Sequence, residues 1–167
     1  MKKSLSVPVF IIMIILLGVV WYFVYNKNLF DENKVFVEYY YYSGGMVELA
    51  NPNYIFYIKI TPNKAKLTNS DSSYSKVIDI NNEKITELKE LINSYDLAKL
   101  ENDIKLSDKG QAVDGGECHI TIYLGDKKYK LGGYEINNTD FNIIKDKIVG
   151  IVGENQIKDF QNNYKGK

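Results

Sequence analysis

A stretch near the start of the chain, residues 4–26, contains no charged side chain and constrains the fold more than any other feature. It reads SLSVPVFIIMIILLGVVWYFVYN and lies between Lys3 and Lys27. As a helix it would reach roughly 34 Å, which exceeds the hydrocarbon core of a bilayer, about 30 Å thick. A helix in a soluble core seldom needs so long an apolar run. The sequence therefore predicts a transmembrane helix.

The end of this run favours an uncleaved anchor over a cleaved secretory signal. Trp21, Tyr22 and Tyr25 cluster there, and aromatic rings are enriched at the membrane–water interface. A cleaved signal has a shorter apolar core and a cleavage site of small residues, whereas the first alanine of this chain is Ala50. The single cysteine lies far downstream, which excludes a lipoprotein signal. We predict a signal-anchor helix over residues 4–26.

The orientation of this single-pass anchor follows from the lysines on either side of it. Residues 1–3 form a short basic tail, and such tails normally stay in the cytoplasm. Lys27 and Lys34 lie near the other end, so the charge bias is small. We expect the N-terminus to be cytoplasmic and the rest of the protein to be extracytoplasmic at the cell membrane. Residues 27–34 are predicted to be a tether.

The remaining chain has the length and composition of one folded domain. Independent domains usually contain about 100–150 residues, and we assign residues 35–160 to one domain and 161–167 to a flexible tail. A hydrophobic fraction of 45% is too high for a disordered chain. The abundance of lysine, asparagine, isoleucine and tyrosine without any arginine is what AT-rich codons encode, which suggests a bacterium of low GC content.

The charge distribution argues against nucleic acid as a partner. Two of the 21 lysines, Lys2 and Lys3, precede the anchor, which leaves 19 lysines against 21 acidic residues after it. Binding to a phosphate backbone requires a basic surface, and arginine is the commonest bidentate reader of phosphate and guanine. The chain after the anchor offers neither.

The first half of the domain has the residue pattern of β-strands. The run VFVEYYYY is β-branched and aromatic and ends at Ser43-Gly44-Gly45. Further on, Phe56, Ile58 and Ile60 alternate with other residues, so they should share the face that meets the core. Strands are predicted at Val35–Tyr42, Met46–Ala50, Tyr54–Ile60, Lys64–Thr68 and Lys76–Ile80.

An amphipathic helix follows these strands. Asn82 is the predicted N-cap, and apolar residues then recur at spacings of three and four from Ile85 to Tyr95. Leu97–Leu106 is predicted to be a shorter helix. The segment Ser107–Glu117 has the composition of an exposed loop.

A hairpin and a second main helix complete the domain. Gly125-Asp126 is a two-residue turn that favours glycine first, and it joins strands predicted at Cys118–Leu124 and Lys127–Leu131. Ile120, Ile122 and Leu124 are expected to point inward. Thr139 is predicted to cap a helix that Gly150 ends, before a short element at Ile151–Phe160. The order of elements predicts an α+β fold, in which a small antiparallel sheet packs with two main helices on one face.

The sequence contains no clear motif for catalysis, metal binding or cofactor binding. Cys118 and His119 are neighbours on a predicted strand, so their side chains should point to opposite faces and cannot form a catalytic pair. Asp108, Asp114 and Glu117 share a loop, but calcium loops need more oxygen ligands at fixed spacing. We predict no cofactor and no metal.

The four consecutive tyrosines from Tyr39 to Tyr42 are the most unusual local feature. On a strand, Phe36, Glu38, Tyr40 and Tyr42 share one face while Val35, Val37, Tyr39 and Tyr41 share the other. If helices cover the face that carries Tyr40 and Tyr42, only the tyrosine hydroxyls would reach solvent. If it stays exposed, Tyr40 and Tyr42 form a candidate binding surface, either a stacking platform for wall glycans or a grip on a partner protein.

These features favour a non-enzymatic binding or accessory module of the bacterial envelope, which contacts the membrane through its anchor. Its partner would be another envelope protein or a wall component. One alternative is a cell-wall-acting enzyme whose catalytic carboxylates the sequence does not mark. A membrane-associated immunity or stress protein would have the same architecture. In form, the chain resembles surface proteins of low-GC Gram-positive bacteria, a likeness that implies no residue roles.

Overall fold

The computed structural model describes residues 12–19, 30–42, 55–70, 72–107, 116–134 and 136–163. Residues 12–19 form helix α1, and a short 3-10 turn covers Glu32–Lys34. The strands are β1 (Val37–Tyr42), β2 (Ile55–Ile60), β3 (Lys64–Asn69), β4 (Ser75–Asp79), β5 (Glu117–Leu124) and β6 (Lys127–Tyr134). The other helices are α2 (Asn82–Asn93), α3 (Leu97–Ser107), α4 (Thr139–Val152) and α5 (Glu154–Asn163).

The strands form one antiparallel sheet of six, in the order β4-β3-β2-β1-β5-β6. The first four strands follow one another as a meander, and the β5–β6 hairpin then adds to the free edge of β1. Strand β1 therefore lies between β2 and β5, with Tyr39 opposite both Ile58 and Ile120. The predicted α+β class with an antiparallel sheet is confirmed. The predicted strand Met46–Ala50 lies outside the described residues.

One face of the sheet packs against the helices and forms the core. Alternate residues of the central strands are completely buried there, such as Val37, Ile58 and Ile120. Burying each such side chain contributes on the order of 1.5–3 kcal/mol. The helices supply the facing layer with Leu88, Ile92, Ile104, Phe141, Ile144, Ile148, Ile157 and Phe160.

Helix α3 confirms the shorter helix predicted at Leu97–Leu106, and α5 overlaps the short element predicted at Ile151–Phe160. Helices α3 and α5 contain 11 and 10 residues, against 12 in α2 and 14 in α4. Both shorter helices bury residues in the common core, including Leu97 and Ile104 from α3 and Phe160 from α5. Tertiary packing of these buried residues stabilises both shorter helices.

The helix starts lie one residue earlier than predicted. Asn81, not Asn82, caps α2, and its side-chain oxygen accepts a hydrogen bond from the backbone of Glu83 at 2.9 Å. Asn138, not Thr139, caps α4 and accepts from the backbone of Phe141 at 2.9 Å. A cap needs an extended backbone from which its side chain reaches the exposed N–H groups of the first turn, and both asparagines have that conformation.

Helix α4 also ends later than predicted. Gly150 lies within the helix, and the chain continues to Ile151 and Val152, which are both buried. Burial of these two residues outweighs the low helix propensity of glycine. Gly153 ends the helix with a φ of 89°, a conformation that glycine adopts without steric cost.

Two side chains differ from the predicted alternation of faces. Leu124 is 37% exposed because it is the last residue of β5, next to the Gly125 turn. Phe36, which precedes β1, packs against the core with the Lys89 ammonium 5.2 Å from its ring centroid. Residues at strand ends thus leave the strict alternation that holds within the strands. Gly125 has a φ of 58°, as the predicted hairpin turn requires.

Helix α1 consists of apolar residues and Gly18, and its large side chains are exposed, with Leu17 at 63%. The rest of the predicted anchor lies outside the described residues. Among the residues that the structure describes, no helix combines the length and the apolar character needed to cross a membrane.

Candidate binding face of the sheet

The sheet has a second face, opposite the helical layer, which we call the open face. Strand residues that alternate with the core residues point to it, and several are exposed large side chains. Tyr57 is 37% exposed and Tyr134 is 44% exposed, while Tyr40 and Tyr42 are half-buried. Large apolar or aromatic side chains left together on a surface mark a site of interaction more often than scattered ones do.

A single row of residues crosses the open face at right angles to the strands. Tyr40 of β1 lies opposite Tyr57 of β2 on one side and His119 of β5 on the other. Each of the six strands contributes one residue to this row, which we call the transverse row. In sheet order it runs Ser75, Thr68, Tyr57, Tyr40, His119 and Gly132.

Three rings form the middle of the transverse row. The ring centroid of Tyr40 lies 5.0 Å from that of Tyr57 and 5.9 Å from that of His119, the latter pair nearly parallel. Such pairs contribute about 0.5–1.5 kcal/mol beyond the area that they bury. They also restrict the rings, so the row offers a preformed aromatic surface.

The hydroxyl of Tyr40 stays protonated at any physiological pH. Burial, followed by the nearby charge of Glu117 and the other tyrosines, raises the pKa of Tyr40 to about 12. A neutral phenol donates and accepts one hydrogen bond each, beside a ring with an apolar face. This combination suits a ligand that has both apolar and hydroxyl surfaces.

His119 is held in place by two neighbours. Its Nε2 lies 2.5 Å from Oε1 of Glu117, two residues earlier on the same strand and on the same face. Its ring also lies over Gly132, where a Cβ atom would approach His119 Nδ1 to 2.3 Å and the carbonyl oxygen of Cys118 to 2.6 Å. The absence of a side chain at Gly132 therefore makes room for the histidine.

A cavity of about 380 Å³ opens beside the row. Tyr57 forms one wall, and Thr68 and Ser75 supply hydroxyls. Ser72, two lysines and a glutamate complete the lining. Glu32 accepts hydrogen bonds from Lys59 at 2.8 Å and Lys66 at 2.9 Å. The cavity is thus polar, with one aromatic side.

The charges around this cavity are paired with one another. Burial raises the pKa of Glu32, but the hydrogen bonds from Lys59 and Lys66 outweigh that effect and hold it below its usual value. Lys59 also lies 3.7 Å from Glu38, which accepts a hydrogen bond from the Tyr123 hydroxyl at 2.9 Å. The paired charges hold the 3-10 turn against β2 and β3.

The structure places both predicted binding residues, Tyr40 and Tyr42, on the open face. Helices α2 to α5 pack on the opposite face, so the helical layer does not cover them. Tyr57, His119 and Tyr134 were not predicted as part of this surface. Alternation along each strand assigns a residue to one of two faces, but only the register between strands shows which residues are neighbours.

The sequence also offered Cys118, His119, Asp108, Asp114 and Glu117 as residues that could carry chemistry. Cys118 and His119 point to opposite faces, as expected, and burial raises the pKa of the Cys118 thiol despite a hydrogen bond with Tyr39. Asp108 and Asp114 lie outside the described residues, and Glu117 pairs with His119. Among the residues with assigned positions, no three or more potential metal ligands cluster.

No protein-family model matches the chain, and no curated protein matches it either.

Proposed function

We propose that this chain is a single-pass membrane protein whose α+β domain is a non-enzymatic binding module of the bacterial envelope. Residues 4–26 anchor it, with the N-terminus in the cytoplasm and the domain outside. The open face is its binding surface, centred on Tyr40 and Tyr42 and extended by Tyr57.

The observation that carries the binding function is the difference between the two faces of the sheet. Helices α2 to α5 pack on one face, whereas the other presents Tyr40 and Tyr57, whose ring centroids lie 5.0 Å apart. Burying the rings of Tyr57 and Tyr134 would be favourable because it removes apolar area from water. Both side chains nevertheless remain exposed. Exposed tyrosines are common in binding surfaces because each combines apolar area with a hydrogen-bonding hydroxyl.

The anchor rests on the charge-free run and on the chemistry of α1. Large apolar side chains all around a helix have no favourable contact in water but are well solvated by lipid. The exposed residues of α1 are Ile12, Met13, Ile14, Ile15, Leu16, Leu17 and Val19.

Binding fits the open face better than hydrolysis by carboxylates. A glycosidase needs one carboxylic acid whose pKa is raised so that it can donate a proton. Among the residues that the structure describes, Asp31 and Glu32 have shifted carboxyl pKa values. Lysine partners lower both, and in Glu32 they outweigh the opposing effect of burial.

Photo-cross-linking in the native envelope tests the proposed function. A photoreactive phenylalanine derivative at position 57 should form adducts with an envelope component. The same derivative at position 143 is the matched control, since Ile143 is 44% exposed but lies on α4, in the helical layer. Equal adduct yields from both positions, or no adducts from position 57, would contradict a binding function for the open face.

A further inference from the structure

We infer that the ligand of the open face is a neutral linear polysaccharide that lies along the transverse row, across the strands. This inference rests on the proposed function and names the chemical class of the ligand.

The first reason is the shape of the row. Adjacent strands are about 4.8 Å apart, so the five intervals between six strands extend roughly 24 Å. The row begins in the polar cavity at Ser75 and Thr68 and ends at Gly132, over which the His119 ring lies. A track of this length and direction fits an extended chain of several pyranose rings.

The second reason is the order of chemical groups along the row. The rings of Tyr57, Tyr40 and His119 occupy its middle. Pyranose rings have apolar C–H faces that stack on aromatic rings, and their equatorial hydroxyls need hydrogen-bond partners at the edges. The hydroxyls of Thr68 and Ser75, together with the phenol of Tyr40, supply such partners without any net charge.

The third reason is electrostatic complementarity. The transverse row itself contains no lysine and no acidic residue. Beside it, Glu117 pairs with His119, and Glu32 pairs with the two lysines of the adjacent cavity. Acidic polymers bind where cations are unpaired and can displace counterions. A row without lysines, next to lysines already paired, favours an uncharged ligand.

A protein partner fits this surface less well than a polysaccharide. The centre of a protein interface is usually apolar and depleted in charged residues. In this protein, by contrast, the cavity beside the rings is lined by the charged residues Glu32, Lys59 and Lys66. A partner protein would have to bury these charges, whereas a hydrated polysaccharide can leave them in contact with water.

Calorimetric titration of the full chain in lipid nanodiscs tests the inference, with chitohexaose and cellohexaose as probes. We expect at least one hexasaccharide to bind, and its affinity to exceed that of the corresponding disaccharide because the longer chain covers more of the row. Tyr57→Ala should weaken binding about fivefold or more through loss of stacking. Ile143→Ala, on the helical layer, should leave binding unchanged.

A second variant separates loss of contact from loss of folding. Thr68→Val keeps the shape of the side chain on β3 but removes its hydroxyl, so it should weaken binding while circular dichroism stays unchanged. Equal binding by wild type, Tyr57→Ala and Thr68→Val would overturn the inference. Tighter binding of an acidic polysaccharide such as hyaluronate would overturn it as well.

The outcomes distinguish this inference from the proposed function. If neither hexasaccharide binds but position 57 still cross-links to an envelope protein, the ligand class is wrong and the binding function stands. If position 57 forms no adducts and no hexasaccharide binds, both are wrong.

Discussion

At the scale of single residues, Gly132 shows how closely the open face is packed. Because a Cβ there would meet His119 Nδ1 and the backbone of Cys118 and His119, Gly132→Ala must push β5 and β6 apart as well as displace the histidine ring. We expect a loss of about 1–3 kcal/mol in the free energy of unfolding, measured by denaturant titration in detergent.

Gly150→Ala is the matched control for that substitution. Gly150 lies within α4, and no neighbouring atom lies within 4 Å of the position that a Cβ would occupy. Alanine should therefore stabilise the helix by about 0.5–1 kcal/mol. Equal effects of the two substitutions would contradict the close approach of His119 to Gly132.

The ionisation of Tyr40 provides a second prediction for a single residue. Its pKa of about 12 exceeds the usual value of 10, so the folded state favours the neutral phenol. The resulting stabilisation is complete below pH 10 and is lost as the pH rises toward 12. In absorbance titrations at 295 nm, wild type minus Tyr40→Phe should show a tyrosinate signal that appears near pH 12. A difference signal centred near pH 10 would contradict the burial of this hydroxyl.

Residue patterns in the sequence predicted part of the open face. They placed Tyr40 and Tyr42 on one side of β1, because alternation within a strand follows from local geometry. They did not bring Tyr57 and His119 beside Tyr40, because those pairs depend on register between strands that are distant in sequence. A spacing of two on a strand indicates a shared face for Glu117 and His119, but the predicted strand began at Cys118 and left Glu117 in the preceding loop.

At the scale of elements, the caps of α2 and α4 show why helix starts were predicted one residue late. Each start has two adjacent residues that can cap, Asn81-Asn82 and Asn138-Thr139, and only the backbone conformation decides between them. The apolar spacing fixed the helix faces correctly, since Ile85, Leu88 and Ile92 are all buried.

The cap of α4 gives a prediction with a built-in control. Asn138→Ala should lower the free energy of unfolding by about 0.5–2 kcal/mol, because the N–H of Phe141 loses its acceptor. Thr139→Ala, one residue later, should have a much smaller effect, as Thr139 is exposed in the first turn. Denaturant titration of both variants checks the assignment, and a larger loss from Thr139→Ala would refute it.

The 3-10 turn at Glu32–Lys34 yields a prediction about pH. Because the lysines hold the pKa of Glu32 below its usual value, ionised Glu32 stabilises the fold above about pH 4.5. That stabilisation is lost as the pH falls through the lowered pKa. The difference in unfolding free energy between wild type and Glu32→Gln should therefore shrink from pH 7 to pH 3.

Glu154→Gln serves as the control for this experiment. Glu154 is exposed and lies 3.7 Å from one lysine, Lys158, so its removal should change stability little across the same pH range. A pH-independent difference for Glu32→Gln would contradict the pairing with Lys59 and Lys66.

At the scale of the whole molecule, the order of strands and helices in the sequence was sufficient to predict the α+β class. It was not sufficient to predict where the β5–β6 hairpin adds to the sheet. Strand β1 has aromatic residues on both of its faces, and this pattern indicated that it lies inside the sheet and not at an edge. Edge strands are usually marked by charges or proline. The short elements predicted at Leu97–Leu106 and Ile151–Phe160 correspond to α3 and α5, whose buried residues belong to the common core.

The anchor is tested by charges placed within α1. Ile15→Lys combined with Leu16→Lys should add about 5–7 kcal/mol to the cost of membrane insertion. We expect the variant protein to leave the carbonate-washed membrane fraction, whereas Ile15→Leu should remain there. Recovery of intact wild-type protein in the soluble fraction would contradict the anchor, and fluorescence of a cytoplasm-only reporter fused to Lys167 would contradict the orientation.

The interior position of β1 has a mechanical consequence. β1 begins two residues beyond the 3-10 turn and is hydrogen-bonded along both edges, to β2 and to β5. A pull on its N-terminal end acts parallel to both ladders, so many hydrogen bonds share the load and must break together. A protein tethered at this end while its open face holds a rigid polymer would therefore resist extension in shear.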